Sequence, residues 1–157
     1  MINTDKEALK LLADHAGIIH KLSFMYTNNN EEYKDLKQEI SYQLIKSFGQ
    51  YRAESKLSTW VYKVSLFTAL SFIKRKPGSH QSLAEVANYA IIENEFSEWN
   101  NVLQQIKRLP EMDKTLIFLY LEDKQYREIA EIMGISETNV GVKLNRIKQK
   151  LKEYFKE

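Results

Sequence analysis

Two carboxylates, an amide and a phenol recur at helical spacing in Asp35, Gln38, Glu39 and Tyr42, offsets that set them along one polar strip. Carboxylates paired this way can do general acid–base work when burial or a metal shifts their proton affinity. The surrounding sequence supplies neither, so the strip reads as a solvated or a protein-binding face. A second group is aromatic and cationic. Trp60 to Ile73 is apolar on nearly every helical face and runs into Lys74-Arg75-Lys76-Pro77-Gly78. Cations at a helix C-terminus complement its dipole, which accounts for one or two of the three. With aromatics upstream, the cluster also fits a surface that stacks unpaired bases and holds phosphate. His15 and His20 are five apart, off the spacing of a helical metal pair, and read as surface or packing residues. With no phosphate-binding glycine loop, nucleophile–base pair or metal cluster in the chain, no enzyme active site, cofactor, metal or small-molecule substrate is expected.

The most specific spacing lies near the C-terminus. Tyr126 to Met133 reads as a helix, Gly134 as a turn that needs positive φ, and Ser136 as the cap of a second helix, its hydroxyl accepting an orphan backbone N–H. Small Ala130 where two helices approach, Gly134 four residues on and inward Val140 six beyond fit a helix-turn-helix. Leu144, Ile147 and Leu151 continue the inward stripe. Glu137, Thr138, Asn139, Gly141, Val142, Lys143, Asn145 and Arg146 are left on the outer faces, and a helix presented this way can enter a major groove. The plainer alternative is a helical hairpin whose Gly and Ser are only turn chemistry.

These residues need elements to hold them, and 157 residues with five Gly and two Pro suffice for one ordinary domain or two small helical ones. Thr4 and Glu7 form a capping box, so a helix should start near residue 5 and carry Leu9, Leu12, Ala16, Ile19 and Tyr26 as far as the turn at Asn28-Asn29-Asn30. A second should run from Glu31 to Phe48 with Tyr33, Leu36, Ile40, Leu44 and Phe48 buried. After the polar loop Gly49 to Leu57, Ser58 should cap the aromatic third helix. Residues 77–96 lose their periodicity and read as a linker. Ser97 then caps a helix with Trp99, Val102, Leu103 and Ile106, and Pro110 opens another that leads into the helix-turn-helix. The expected fold is all-α: two small helical domains, 1–76 and 97–157, joined by a linker, the C-terminal one a four-helix unit with the helix-turn-helix last.

Net charge is only +2, but it is unevenly placed: six cations face one acid in residues 51–76, ten acids face five cations in 77–135, and six cations face three acids in 136–157. The two basic blocks can each neutralise phosphates, with salt-dependent affinity. The absence of Cys suits a reducing cytoplasm. The N-terminus lacks a signal-peptide pattern and no stretch is apolar enough to span a membrane, so a cytoplasmic protein without direct membrane insertion is expected.

From Leu9 to Tyr154 the chain resembles the two-domain, extracytoplasmic-function type of bacterial RNA polymerase sigma factor. Asp35-Leu36-Lys37-Gln38-Glu39 is similar to that family's Asp-Leu-x-Gln-Glu signature. Ser58-Thr59-Trp60-Val61-Tyr62-Lys63-Val64 is similar to its Thr-Trp-Leu-Tyr-Arg-Ile run. Leu109-Pro110-Glu111, Tyr126-Arg127-Glu128-Ile129-Ala130 and Ser136 to Arg146 follow in register. The resemblance implies that Asp35, Gln38, Glu39 and Tyr42 dock on the core polymerase. It implies that Tyr51, Arg52, Lys63, Phe67, Ser71, Lys74 and Arg75 serve the minus-ten element of promoter DNA, where an extruded base is held. Trp60 reads as a core anchor. It further implies that Tyr126 and Arg127 lie near backbone phosphate, while Ser136, Glu137, Thr138, Asn139, Gly141, Val142, Lys143, Asn145 and Arg146 face the minus-thirty-five element. An anti-sigma protein is a further partner expected on the same ground. The chain departs from the family pattern at Phe67, where many members carry Asn, at Ser71, where they carry Asp or Asn, and at Gly141 and Val142, where polar residues are common. Readout by the last helix then leans on Asn139, Lys143, Asn145 and DNA shape.

Two rival readings accompany this one. A stand-alone helix-turn-helix regulator would explain the C-terminal half and leave the acidic-amide strip and the aromatic helix without a purpose. A helical interaction module that never meets DNA would bind none, or would bind it without salt dependence.

Overall fold

The computed structural model describes residues 4–75 and 104–155, and these are helices joined by turns. The chain divides into two compact units, Met1–Asn100 and Asn101–Glu157. The expected linker at 77–96, Lys76 and the helix led by Ser97 lie outside the described residues.

In the N-terminal unit the single first helix expected from the stripe is two: α1 (Thr4–Asp14) and α2 (Ala16–Met25). The break comes at His15, whose Nδ1–H donates to the Leu11 carbonyl at 2.8 Å and so satisfies an acceptor that the end of α1 leaves orphaned. The bend shifts the phase of the buried face. Ala8 and Leu11 point inward and Leu9 is 69% exposed, while Ile19, Leu22, Phe24, Met25 and Tyr26 are buried. His20 is a packing residue, buried on α2 with its Nδ1 2.6 Å from the Tyr33 hydroxyl and the two rings edge to face.

Asn29 starts α3 (Asn30–Ser47) by accepting the Glu32 N–H on its side chain at 2.8 Å. Tyr33, Leu36, Ile40 and Leu44 form its buried face as the spacing predicts. The α-helix stops at Ser47, and half-buried Phe48 belongs to a 3₁₀ turn, Phe48–Gln50. The last helix of the unit, α4 (Leu57–Arg75), begins earlier than predicted. Ser58 therefore sits in its first turn, and the Lys56 carbonyl accepts from the Trp60 amide at 3.1 Å. Packed on both α2 and α3, α4 is central to the unit, which explains its many apolar faces. Val61, Tyr62, Leu66, Ala69 and Phe72 are buried. Each large side chain so placed contributes roughly 1.5–3 kcal/mol of apolar burial.

The C-terminal unit opens, among the described residues, with a helical turn over 104–106 that buries Ile106. Pro110 leads into α5 (Glu111–Leu121). After a turn in which Asp123 takes φ 60° come α6 (Tyr126–Met133) and α7 (Glu137–Phe155). These three helices pack pairwise around Leu116, Phe118, Ile129, Val140 and Leu144, all buried.

Candidate functional site

The helix-turn-helix has the local geometry that its spacing predicts. Gly134 is left-handed at φ 71°, and its amide and that of Ile135 both donate to the Ala130 carbonyl, at 2.8 and 3.2 Å, closing α6. Ser136 caps α7, its Oγ accepting the Asn139 N–H at 3.1 Å. Along α7 the faces are cleanly sorted. Val140, Leu144 and Ile147 are buried, while Glu137, Thr138, Asn139, Val142, Asn145 and Arg146 are exposed and Lys143 is half-exposed. Val142, at 46% exposure, sets an apolar spot among polar neighbours and can meet a thymine methyl. Gly141 contributes differently from its neighbours: a Cβ there would stand 3.5 Å from the Tyr126 ring, so this ring lies across α7 at the one position lacking a side chain. Tyr126 and exposed Arg127 occupy the first turn of α6, where backbone N–H groups favour an anion such as phosphate.

In the N-terminal unit α3 places Asp35, Gln38 and Tyr42 outward, Tyr42 at 58% exposure with the Lys46 ammonium 5.8 Å from its ring centre. Glu39 is more enclosed because it pairs across to Arg75 on α4. The Arg75 Nε–H also reaches the Ser71 carbonyl at 3.4 Å. Sequence reasoning assigned Arg75 to the minus-ten set and Glu39 to the polymerase strip; the structure brings the two together.

Two shallow recesses meet at this pair. One, of about 570 Å³, opens among Asp35, Gln38, Glu39, Tyr42 and Arg75. The other, about 430 Å³, is lined by Glu39 and Gln43 from α3 and by Phe67, Thr68, Ser71 and Arg75 from α4. Phe67 is 63% exposed, an aromatic face on a helix whose other large apolar side chains are buried or half-buried, and a base can stack on it. Gln43 lines both recesses and was missed from sequence, although it stands four residues after Glu39 on the same helix.

The loop between α3 and α4 is held at its root by aromatics. Trp60, half-buried, lies edge to face with Phe48 at 6.1 Å and 5.5 Å from the Tyr51 ring, an anchor as expected. Tyr51 is itself tied down, its hydroxyl donating to the Ser55 carbonyl at 2.6 Å. Arg52 and Lys74 are exposed, and Lys63 is half-buried. Among the described residues no group of His, Asp and Glu could hold a metal, and no helix is long and apolar enough to cross a membrane.

Residues 11–77 match the family model described as Sigma-70 region 2, and residues 99–151 match that described as Sigma-70, region 4. The sigma factor SigV of Bacillus subtilis is 27% identical, the match covering 86% of this chain and 82% of that protein. The ECF RNA polymerase sigma-E factor of Haemophilus influenzae is 31% identical over 92% of this chain and 86% of its own length. Among solved structures, CnrH in complex with the cytosolic domain of CnrY superposes with a TM-score of 0.72 over 97% of this chain and 89% of that one, and at 13% identity that likeness speaks for the fold. A match to region 2 as well as region 4 leaves the stand-alone regulator without support. With both regions in order and a relative above 30% identity along most of its length, the chain belongs to the sigma-70 family as an ECF-type sigma factor, a promoter-recognising initiation factor and not an enzyme.

Proposed function

We propose a division of labour in which residues 1–76 bind core RNA polymerase and open the minus-ten element, residues 77–96 tether the halves, and residues 97–157 read the minus-thirty-five element. Asp35, Gln38, Glu39 and Tyr42 form the polymerase-docking strip. Phe67 stacks an extruded base while Ser71 offers a hydroxyl beside it, and Arg52, Lys63 and Lys74 hold the backbone. The α7 residues Glu137, Thr138, Asn139, Val142, Lys143, Asn145 and Arg146 face base edges and phosphates in the major groove. One observation carries this reading: α7 sends every buried side chain to one face and leaves a continuous outer face capped by Ser136. Tethering lets the second promoter contact form at high effective concentration once the first has formed.

The protein acts in the cytoplasm, where core polymerase and promoter DNA are found. An anti-sigma protein is a further proposed partner, as CnrH is seen with the cytosolic domain of CnrY. The test is run-off transcription with core enzyme on promoters selected from random DNA, together with retention of core polymerase on the immobilised protein. Wild type stimulates specific initiation, and Glu39→Lys abolishes retention by reversing a charge in the strip. Full retention by Glu39→Lys would end the docking assignment, and initiation unaffected by changes to Asn139 and Lys143 would end that of α7.

A further inference from the structure

We infer that Arg75 is a positioning residue of the docking strip and not a phosphate contact, an assignment that rests on the docking reading of that strip. Sequence places Arg75 at the end of a cationic run, where DNA backbone is the expected target. In the structure its guanidinium is engaged within the protein. One N–H donates to the Glu39 carboxylate across the α3–α4 packing, and the Nε–H donates to the Ser71 carbonyl 3.4 Å away. Two donors fixed on different groups orient a planar fork far better than either alone. The head therefore lines the recess that also holds Asp35, Gln38 and Tyr42.

The consequence for the strip is a split in its two carboxylates. Glu39 is drawn against α4 until its side chain is only 28% exposed, beside an Arg75 at 60%, and its charge is compensated inside the protein. Asp35 is exposed and makes no ion pair among the described residues, so it remains the uncompensated anion. A partner surface meets an open carboxylate at Asp35, an amide at Gln38 and a ready-made ion pair at Glu39 and Arg75. Such a pair accepts a cation on its Glu39 side and an anion on its Arg75 side. The polymerase surface that fits therefore carries one basic group opposite Asp35 and groups of both signs opposite the pair. A phosphate approaching Arg75 would meet a guanidinium whose charge the Glu39 carboxylate already offsets in part.

The test uses the full chain and core RNA polymerase. Affinity for core without DNA is measured for Arg75→Ala, Arg75→Lys, Glu39→Gln and the double variant Glu39→Gln with Arg75→Ala, with circular dichroism confirming that each is folded. Arg75→Ala weakens core binding about threefold to fivefold, the scale of an exposed ion pair. The lysine variant recovers part of the loss, and the double variant binds no worse than Glu39→Gln alone, since the two changes remove one interaction. In the assembled holoenzyme the salt dependence of promoter binding is the same for wild type and Arg75→Ala. A salt slope smaller by about one, with core affinity unchanged, identifies a phosphate contact and overturns the inference. If Asp35→Asn and Glu39→Gln also leave core affinity untouched, the docking reading falls with it, whereas loss from those two but none from Arg75→Ala overturns the positioning role alone.

Discussion

The same substitution at two glycines seven residues apart should move stability in opposite directions. Gly134 stands at φ 71° with nothing within 4 Å of where a Cβ would be, so Gly134→Ala meets no steric neighbour and its whole cost is the backbone conformation. An L-residue held in the left-handed region costs roughly 1–2 kcal/mol. Gly141 lies inside α7 with ordinary helical φ, and the added methyl would touch only the Tyr126 ring at 3.5 Å, a normal contact distance. Gly141→Ala should therefore gain about 0.8–1 kcal/mol of helix propensity. A denaturant melt of the whole chain mixes the transitions of two units, so the better assay is hydrogen exchange of the amides in α7. Protection there should fall about fivefold to thirtyfold in Gly134→Ala and rise about fivefold in Gly141→Ala. Gly134→Asn should lie between wild type and alanine, because Asn tolerates the left-handed region. If both alanine variants shift protection the same way, the assignment of Gly134 as a conformational stop and Gly141 as a propensity defect is refuted.

Other outcomes follow from the geometry. Asn29→Ala removes the side-chain acceptor for the Glu32 amide and should cost the N-terminal unit about 1 kcal/mol, read as reduced exchange protection through α3, with Asn29→Ser nearly neutral. Burial holds the Lys114 ammonium below its ordinary value of 10.5, against the opposing pull of the Glu111 carboxylate. The unfolded chain thus binds this proton more tightly, and stability should rise as pH climbs through the lowered value toward 10.5. Lys114→Met should be more stable than wild type at neutral pH and should lose that rise; a less stable variant that keeps the rise would refute the sign.

Most of what positions the surfaces was legible in the residues themselves. The Ala130, Gly134, Ser136 and Val140 spacing gave the turn, the cap and the inward face of α7, because each of those positions has one local physical requirement. The α3 face was equally readable from Tyr33, Leu36, Ile40 and Leu44. The break at His15 was not, since it depends on one side chain reaching back to the Leu11 carbonyl, a choice that hydrophobic period does not encode. Nor was the start of α4, where Ser58 has the chemistry of a cap but the helix takes up Leu57 first. The contact made by Arg75 was not legible for a related reason: its neighbours in sequence are cations, whereas its neighbour in space is Glu39, 36 residues earlier. Gly141 belonged by spacing to the outer faces of α7, and the Tyr126 ring that lies against it comes from another helix, which local spacing does not encode.

The sorting of α7 has an evolutionary corollary. Because the residues that anchor this helix, Val140, Leu144 and Ile147, share no position with those that touch the outside, the outward alphabet can drift at almost no thermodynamic risk. On the proposed reading of α7, swapping Thr138, Asn139, Val142 or Asn145 for other side chains leaves the scaffold intact while changing which sequences it prefers. On that same reading, lineages descended from such a chain can acquire new regulons by changing a few exposed letters, and a designer can retarget the helix the same way.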